Sequence, residues 1–303
     1  LLHRMSGPLS QPSVGTVPPT VVCVPYGGGS AAVFKPLAEA LGDRAVVQAV
    51  ELPGHDPARP GEPLRTLGDL ADALTAEVEA TVAGPVVVYG HCVGSALATA
   101  LARRLEERGR PVLGVVVAGS FPAARLGGRL PAWLDRRFPR ERRVSDRLFR
   151  DTLRATGGLP DDTDDTTVDT VLHAMRHDSE QAQAWFGGIL AAEDGMPRLA
   201  APILCLVGEQ DRATELYEER YREWTAFAER VELASIPAAG HYFLRHQAAA
   251  VADLLADRCE HWAARSGGPS APGTTAAATA AATADTVTHT TAATAAEAAV
   301  TGA

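Results

Sequence analysis

Residues 90–94 read Gly-His-Cys-Val-Gly, between an apolar run that ends at Tyr89 and a helical stretch that begins at Ser95. A thiol raised on so tight a strand-to-helix turn can act as a nucleophile. The flanking glycines have a steric reason, since a Cβ at either would strike the neighbouring strand or helix. Cys92 also falls at the start of the helix, where the dipole and the free N–H groups favour a thiolate. The same five residues would fit a buried cysteine between two packing glycines, because most cysteines behave as small hydrophobes. The strand before and the helix after favour the nucleophile. His91 points elsewhere if Cys92 points up, and reads as a packing residue.

A cysteine nucleophile needs a base and a group that orients the base. On a turn of this kind the acid and then the histidine follow later in the chain, each beyond a strand. The apolar run 203–207 leads into Gly208-Glu209-Gln210-Asp211, and the run 231–236 leads into Pro237-Ala238-Ala239-Gly240-His241. Asp211 and His241 are therefore the expected acid and base. Glu209, nearer the strand end, is the competing acid. His55, also on a loop at a strand end, is the competing base. The run Tyr26-Gly27-Gly28-Gly29-Ser30 follows the first long strand and precedes a helix. Its glycines let backbone N–H groups approach a substrate oxygen, so Gly27 and Val93 are the expected oxyanion hole. The loop lacks both the Walker Lys-Ser/Thr ending and the Gly-x-Gly-x-x-Gly spacing, which argues against nucleotide binding.

These loops must be held by a regular scaffold. Short Val/Ile/Leu-rich runs at 20–25, 44–50, 85–89, 111–118, 202–207 and 231–236 are the expected strands, buried on both faces of a largely parallel sheet. Helical spacing of apolar residues at 31–41, 67–82, 95–108 and 245–264 fills the crossovers. The alternation specifies a doubly wound α/β sheet of the α/β-hydrolase type, with its site at the carboxyl ends of the strands. Residues 20–265 form the expected catalytic domain, and 1–19 a flexible N-terminal segment. From 121 to 200 no strand is evident and Arg, Asp and Gly separate short helical patches, so this stretch is the expected lid inserted over the site. Residues 266–303 are almost entirely Ala, Thr, Gly and Ser and read as a disordered tail.

The 303-residue chain is 46% hydrophobic and 21% charged, enough apolar residue for a sizeable core. Its formal net charge of −9 argues against non-specific nucleic-acid binding. No apolar run is long enough to span a bilayer, and residues 1–19 do not read as a secretory signal. Cys23, Cys92, Cys205 and Cys259 are far apart and form neither a zinc pattern nor a disulfide framework. A cytoplasmic protein with reduced thiols and no metal is the expectation.

Taken together, these motifs resemble the type II thioesterases associated with non-ribosomal peptide and polyketide assembly lines. The matching runs are 24–31, Glu51-Leu52-Pro53-Gly54-His55, Gly90-His91-Cys92-Val93-Gly94, Gly208-Glu209-Gln210-Asp211 and 239–244, in the family's order. Arg176-His177-Asp178 looks like the family's Arg-x-Asp lid element. The resemblance implies an acyl substrate carried on the phosphopantetheine arm of an acyl or peptidyl carrier protein, with no cofactor of the chain's own. The departure is the nucleophile, usually Ser and here Cys92. An acyl-Ser is an oxyester, downhill from the incoming thioester. An acyl-Cys is itself a thioester, so its formation is nearly thermoneutral and the acyl group can pass to another thiol, an amine or a hydroxyl as well as to water. An acyltransferase or aminoacyl shuttle is thus the first alternative, and a non-catalytic hydrolase-like binding protein the second. The stretch from Arg125 to Arg150 is rich in Arg; Arg136, Arg137 and Arg140 are the expected docking residues for an acidic carrier, unless the run is only a solvated lid face.

Overall fold

The computed structural model describes residues 1–6, 17–56, 58–59, 61–122, 145–155, 163–192 and 196–266. Seven strands form one sheet: β1 (Leu2–Arg4), β2 (Thr20–Val24), β3 (Val46–Val50), β4 (Val86–His91), β5 (Val112–Ala118), β6 (Ile203–Gly208) and β7 (Val231–Ile236), in the order β1-β3-β2-β4-β5-β6-β7. From β3 across to β7 all neighbours are parallel. Every residue of β2, β4 and β6 is buried, as the unbroken apolar runs require of strands covered on both faces. The order reverses about β2, which lies between β3 and β4. That reversal opens a crevice beyond the carboxyl ends of β2 and β4.

Among the described residues, helices of seven residues or more are α1 (Lys35–Leu41), α2 (Leu67–Thr81), α3 (Gly94–Glu107), α4 (Asp146–Ala155), α5 (Asp165–Leu190) and α6 (Ala248–Ser266). One sheet face is covered by Leu70, Leu74 and Val78 of α2, Leu97, Leu101 and Leu105 of α3, and Ala182, Phe186 and Ile189 of α5. The other carries Leu37 and Leu41 of α1 with Val251, Leu255, Cys259 and Trp262 of α6. Trp262 lies flat against Gly114 of β5, where a Cβ would collide with the indole ring. Trp262→Ala should empty that slot and destabilise the fold by about 3–5 kcal/mol. A shift in the urea midpoint measures it, and a loss under about 1 kcal/mol would show that the slot collapses around the gap.

Two sequence expectations need correction. Residues 1–19, expected to be flexible, include strand β1, which pairs antiparallel with β3 so that Leu2 lies opposite Val50. Three residues containing His3 and Arg4 carry no strand pattern of their own and become a strand through their partner. The short helical patches expected within 121–200 are in part a single helix of 26 residues, α5. Asp164 caps it, its carboxylate accepting from the Thr167 N–H at 2.9 Å and from the Thr167 hydroxyl at 2.6 Å. Its apolar side changes partner along its length. Val168 and Leu172 pack with Leu153 of α4, and Ala182, Phe186 and Ile189 join the sheet-covering core. Arg150 reaches Asp169, and Arg176 reaches Asp146 at 2.7 Å, clipping α4 to α5. Arg136, Arg137 and Arg140, and residues 267–303 of the expected tail, lie outside the described residues. Among the described residues no helix is long and apolar enough to cross a membrane.

Candidate active site

Strand β4 ends at His91, and α3 begins at Gly94, leaving Cys92 and Val93 to turn the chain. Cys92 takes φ 53, a left-handed conformation that costs a non-glycine residue about 1–3 kcal/mol. The surroundings hold it there. The Cys92 N–H donates to the Ala118 carbonyl at 2.7 Å, the Ser95 N–H donates to the Cys92 carbonyl at 3.1 Å, and the buried Ser95 hydroxyl donates to the Gly90 carbonyl. A Cβ at Gly90 would lie 2.6 Å from the Gly94 carbonyl oxygen, and one at Gly94 would collide with the Pro25 carbonyl. The glycines therefore let helix, strand and Gly-rich loop close around the turn, as the sequence led us to expect. Cys92 is half-buried, whereas Cys23, Cys205 and Cys259 are buried; all four are unpaired. Burial pushes the Cys259 thiol up to about 12 and the Cys23 and Cys205 thiols higher still.

His241 follows β7, and Asp211 follows β6. The backbones of their loops meet where the Gln210 N–H donates to the Ala239 carbonyl at 2.8 Å. His241 Nδ1 donates to Asp211 Oδ2 at 2.8 Å, and the ring lies close enough to Cys92 for the two to interact. Asp211 is buried, and its second oxygen accepts from the Ala213 N–H at 2.8 Å. Burial pushes the Asp211 carboxyl up, but the hydrogen bond and charge of His241 pull it further down, below the ordinary carboxylate range. Burial likewise disfavours the imidazolium of His241. The neighbouring Cys92 and the Asp211 carboxylate outweigh that and raise its pKa to about 10.

The rival residues have other duties. Glu209 accepts from the Ser235 hydroxyl at 3.1 Å at the exposed edge of the site. His55 Nε2 meets Asp178 of α5 at 2.7 Å. His91 is fully buried and, by that burial and the nearby His241, its pKa falls to about 3, so the ring is neutral. Its Nε2–H donates to the His241 backbone carbonyl at 2.9 Å, leaving Nδ1 to accept from the Tyr89 hydroxyl at 3.3 Å. It packs as expected, and it also braces the loop that carries His241. Sequence reasoning missed Gly119, which takes φ 63 after β5. A Cβ there would stand 3.3 Å from the His241 ring and 3.6 Å from Asp211 Oδ2. The Ala-Gly-Ser break after an apolar run was the available signal.

Gly27 and Val93 lie side by side: a Cβ on Gly27 would be 3.0 Å from Val93 Cγ2. Val93 precedes α3, in the first turn, where N–H groups have no intrahelical acceptor. Next to Val93 opens a small crevice lined by Leu52, Leu67, Leu70 and Leu97, with Arg65, Asp178 and Gln181 among its polar walls. Among the described residues no group of three or more His, Cys, Asp or Glu is placed to hold a metal ion. A half-buried thiol, an imidazole beside it and a carboxylate bonded behind the ring can together carry out acyl transfer.

The sequence pattern of the thioesterase domain matches residues 19–262. Thioesterase PikA5 of Streptomyces venezuelae is 27% identical over 255 residues, covering 83% of this chain and 83% of its own. The solved structure of the type II thioesterase BorB from the borrelidin biosynthetic cluster is 28% identical with a TM-score of 0.64, covering 85% of this chain and 97% of that one. That of the RedJ thioesterase from the prodiginine pathway of Streptomyces coelicolor is 25% identical with a TM-score of 0.64, covering 83% of this chain and 96% of that one. With its parallel sheet, the strained turn at Cys92 and inserted helices, the chain belongs to the thioesterase domain family, on an α/β-hydrolase fold.

Proposed function

We propose that this thioesterase releases acyl or aminoacyl groups from the phosphopantetheine thioesters of carrier proteins in polyketide or non-ribosomal peptide biosynthesis, by way of an acyl-Cys92 intermediate. The observation that carries the reading is the strained placement of Cys92 beside His241, with Asp211 bonded behind the ring, in a chain of the thioesterase domain family. Relatives that act in biosynthetic clusters, BorB and RedJ among them, support the substrate class. With the proton of the pair held on His241, the Cys92 sulfur attacks the thioester carbonyl. The N–H groups of Gly27 and Val93 hold the oxyanion. The carbonyl reforms as the C–S bond to the carrier breaks, and the carrier sulfur takes a proton from His241. His241 then draws a proton from water, which attacks acyl-Cys92 and frees the acid and the thiol. These steps use no cofactor of the chain's own. The four unpaired thiols suit a reducing compartment, the cytoplasm. Carrier docking at Arg136, Arg137 and Arg140 rests on sequence charge alone.

The sulfur nucleophile favours a second reading, acyl transfer, because acyl-Cys92 and the substrate are both thioesters. Intact-mass analysis after mixing the protein with acyl-loaded carrier should show one acyl adduct on the chain. Water alone should then discharge it as free acid. Persistence in water, with discharge only when a holo-carrier is added, would replace hydrolysis by transfer. Failure to acquire any adduct or to turn over carrier-bound substrate would count against both.

A further inference from the structure

Helix α5 lies against the Gly-rich loop and meets it at Val171, Met175 and Asp178, residues spaced to share one helical face. Gly28 takes φ 70, and a Cβ on it would stand 2.8 Å from Val171 Cγ1 and 2.9 Å from the Val171 carbonyl oxygen. A Cβ on Gly27 would stand 3.0 Å from Met175 Cγ. Close approach of the helix thus excludes side chains from both positions. Glycine in turn leaves the loop free to rotate, so something must fix the direction of the Gly27 N–H.

Two hydrogen bonds fix the peptide planes on either side of Gly27. The Tyr26 carbonyl, in the same plane as the Gly27 N–H, accepts from the Gly29 N–H at 2.8 Å. The next plane ends in the Gly28 N–H, which donates to Asp178 Oδ2 at 3.4 Å. The long second bond depends on where the carboxylate is held, and His55 holds it at 2.7 Å through Nε2. His55 Nδ1 faces the Pro53 carbonyl at 3.1 Å. Both ring nitrogens thus face oxygen atoms. Burial disfavours the charged ring, and the Asp178 carboxylate outweighs it, so the His55 pKa lies above the ordinary imidazole value. Downstream, Glu51 accepts from the Ala31 N–H at 3.0 Å and steadies the far end of the loop.

We propose that Asp178 is a positioning residue of the oxyanion hole: held by His55, its carboxylate sets the Gly27–Gly28 backbone from the lid side so that the Gly27 N–H faces the reacting carbonyl. Helix α5 is on this account part of the catalytic apparatus and more than a cover. The inference rests on the reading of Cys92 as a nucleophile whose tetrahedral intermediate is held by the Gly27 and Val93 amides.

The test compares two reactions of Cys92. Acylation by an acyl thioester builds an oxyanion, whereas alkylation by iodoacetamide displaces iodide and builds none. In Asp178→Ala, single-turnover acylation should fall about tenfold to a hundredfold, somewhat less than loss of an oxyanion donor itself causes. Alkylation should stay within about twofold of the unaltered protein, because thiol, imidazole and Asp211 are untouched. A substrate aldehyde, whose adduct with the thiol carries the same oxygen, should bind more weakly by the factor lost in acylation. His55→Gln, which keeps an N–H donor towards Asp178, should recover part of the acylation lost in His55→Ala. Equal losses in acylation and alkylation would reduce Asp178 to a structural role, and unchanged acylation would remove it from the site. Absence of acylation in the unaltered protein, with alkylation intact, would overturn the thioesterase reading and this inference together.

Discussion

Cys92→Ala should lose acyl loading altogether and lower turnover of an acyl thioester by about 10³-fold or more, since a nucleophile acting as part of a unit accounts for most of what the unit does. Cys92→Ser separates the nucleophile's position from its chemistry. The hydroxyl occupies the same strained turn, at φ 53, and the same side of His241. Acyl transfer from a thioester to Ser is downhill, so the serine form should discharge its acyl group to water and not return it to a thiol. The unaltered protein should exchange label between acyl-Cys92 and an added pantetheine thiol. Identical exchange in both forms would show that the sulfur does not set the fate of the acyl group.

Asp211→Asn should cost nearly as much, about 10³- to 10⁴-fold in turnover, because an amide can hold the imidazole in the wrong tautomer and no longer stabilises its charge. It should also move the pH profile in a definite direction. The His241 pKa, 6.5 for a free ring, is raised to about 10, with Cys92 and Asp211 acting against burial. A raised histidine pKa means that the imidazolium is held as pH rises and is lost only through about pH 10. By the same linkage its contribution to folding stability is complete below about 6.5 and disappears through about 10. Without the Asp211 carboxylate the ring gives up its proton earlier. The alkaline limb of the rate profile should then shift to lower pH, and an unmoved limb would dissociate Asp211 from the proton on His241.

Cys92, Asp211 and His241 were legible in the chain because each follows a buried apolar run and each stands in a short, sterically marked turn. Those signals are local. What escaped was set by partners far along the chain. His55 looked like a possible base from its place at a strand end; its role was decided by Asp178, 123 positions away. Helix α5 read as separate patches because its apolar side serves two different clusters, and Gly187 and Gly188 interrupt the pattern near its end. Strand β1 has too few residues to carry a period and exists through its pairing with β3. His91 was recognised as packing, but its bond to the His241 carbonyl depends on a loop that arrives from β7.

Parallel pairing has one more effect on how the centre comes into being. The thiol, the imidazole, the carboxylate and the proposed anion cradle hang from the ends of β4, β7, β6 and β2, and from β2 to β7 each strand is joined to the next in sequence through a crossover. No continuous fragment shorter than most of the domain contains all four. Secondary structure can form early and locally, but chemistry is available only after the most distant segments have docked, which makes catalysis a property of the finished sheet and of no intermediate assembly.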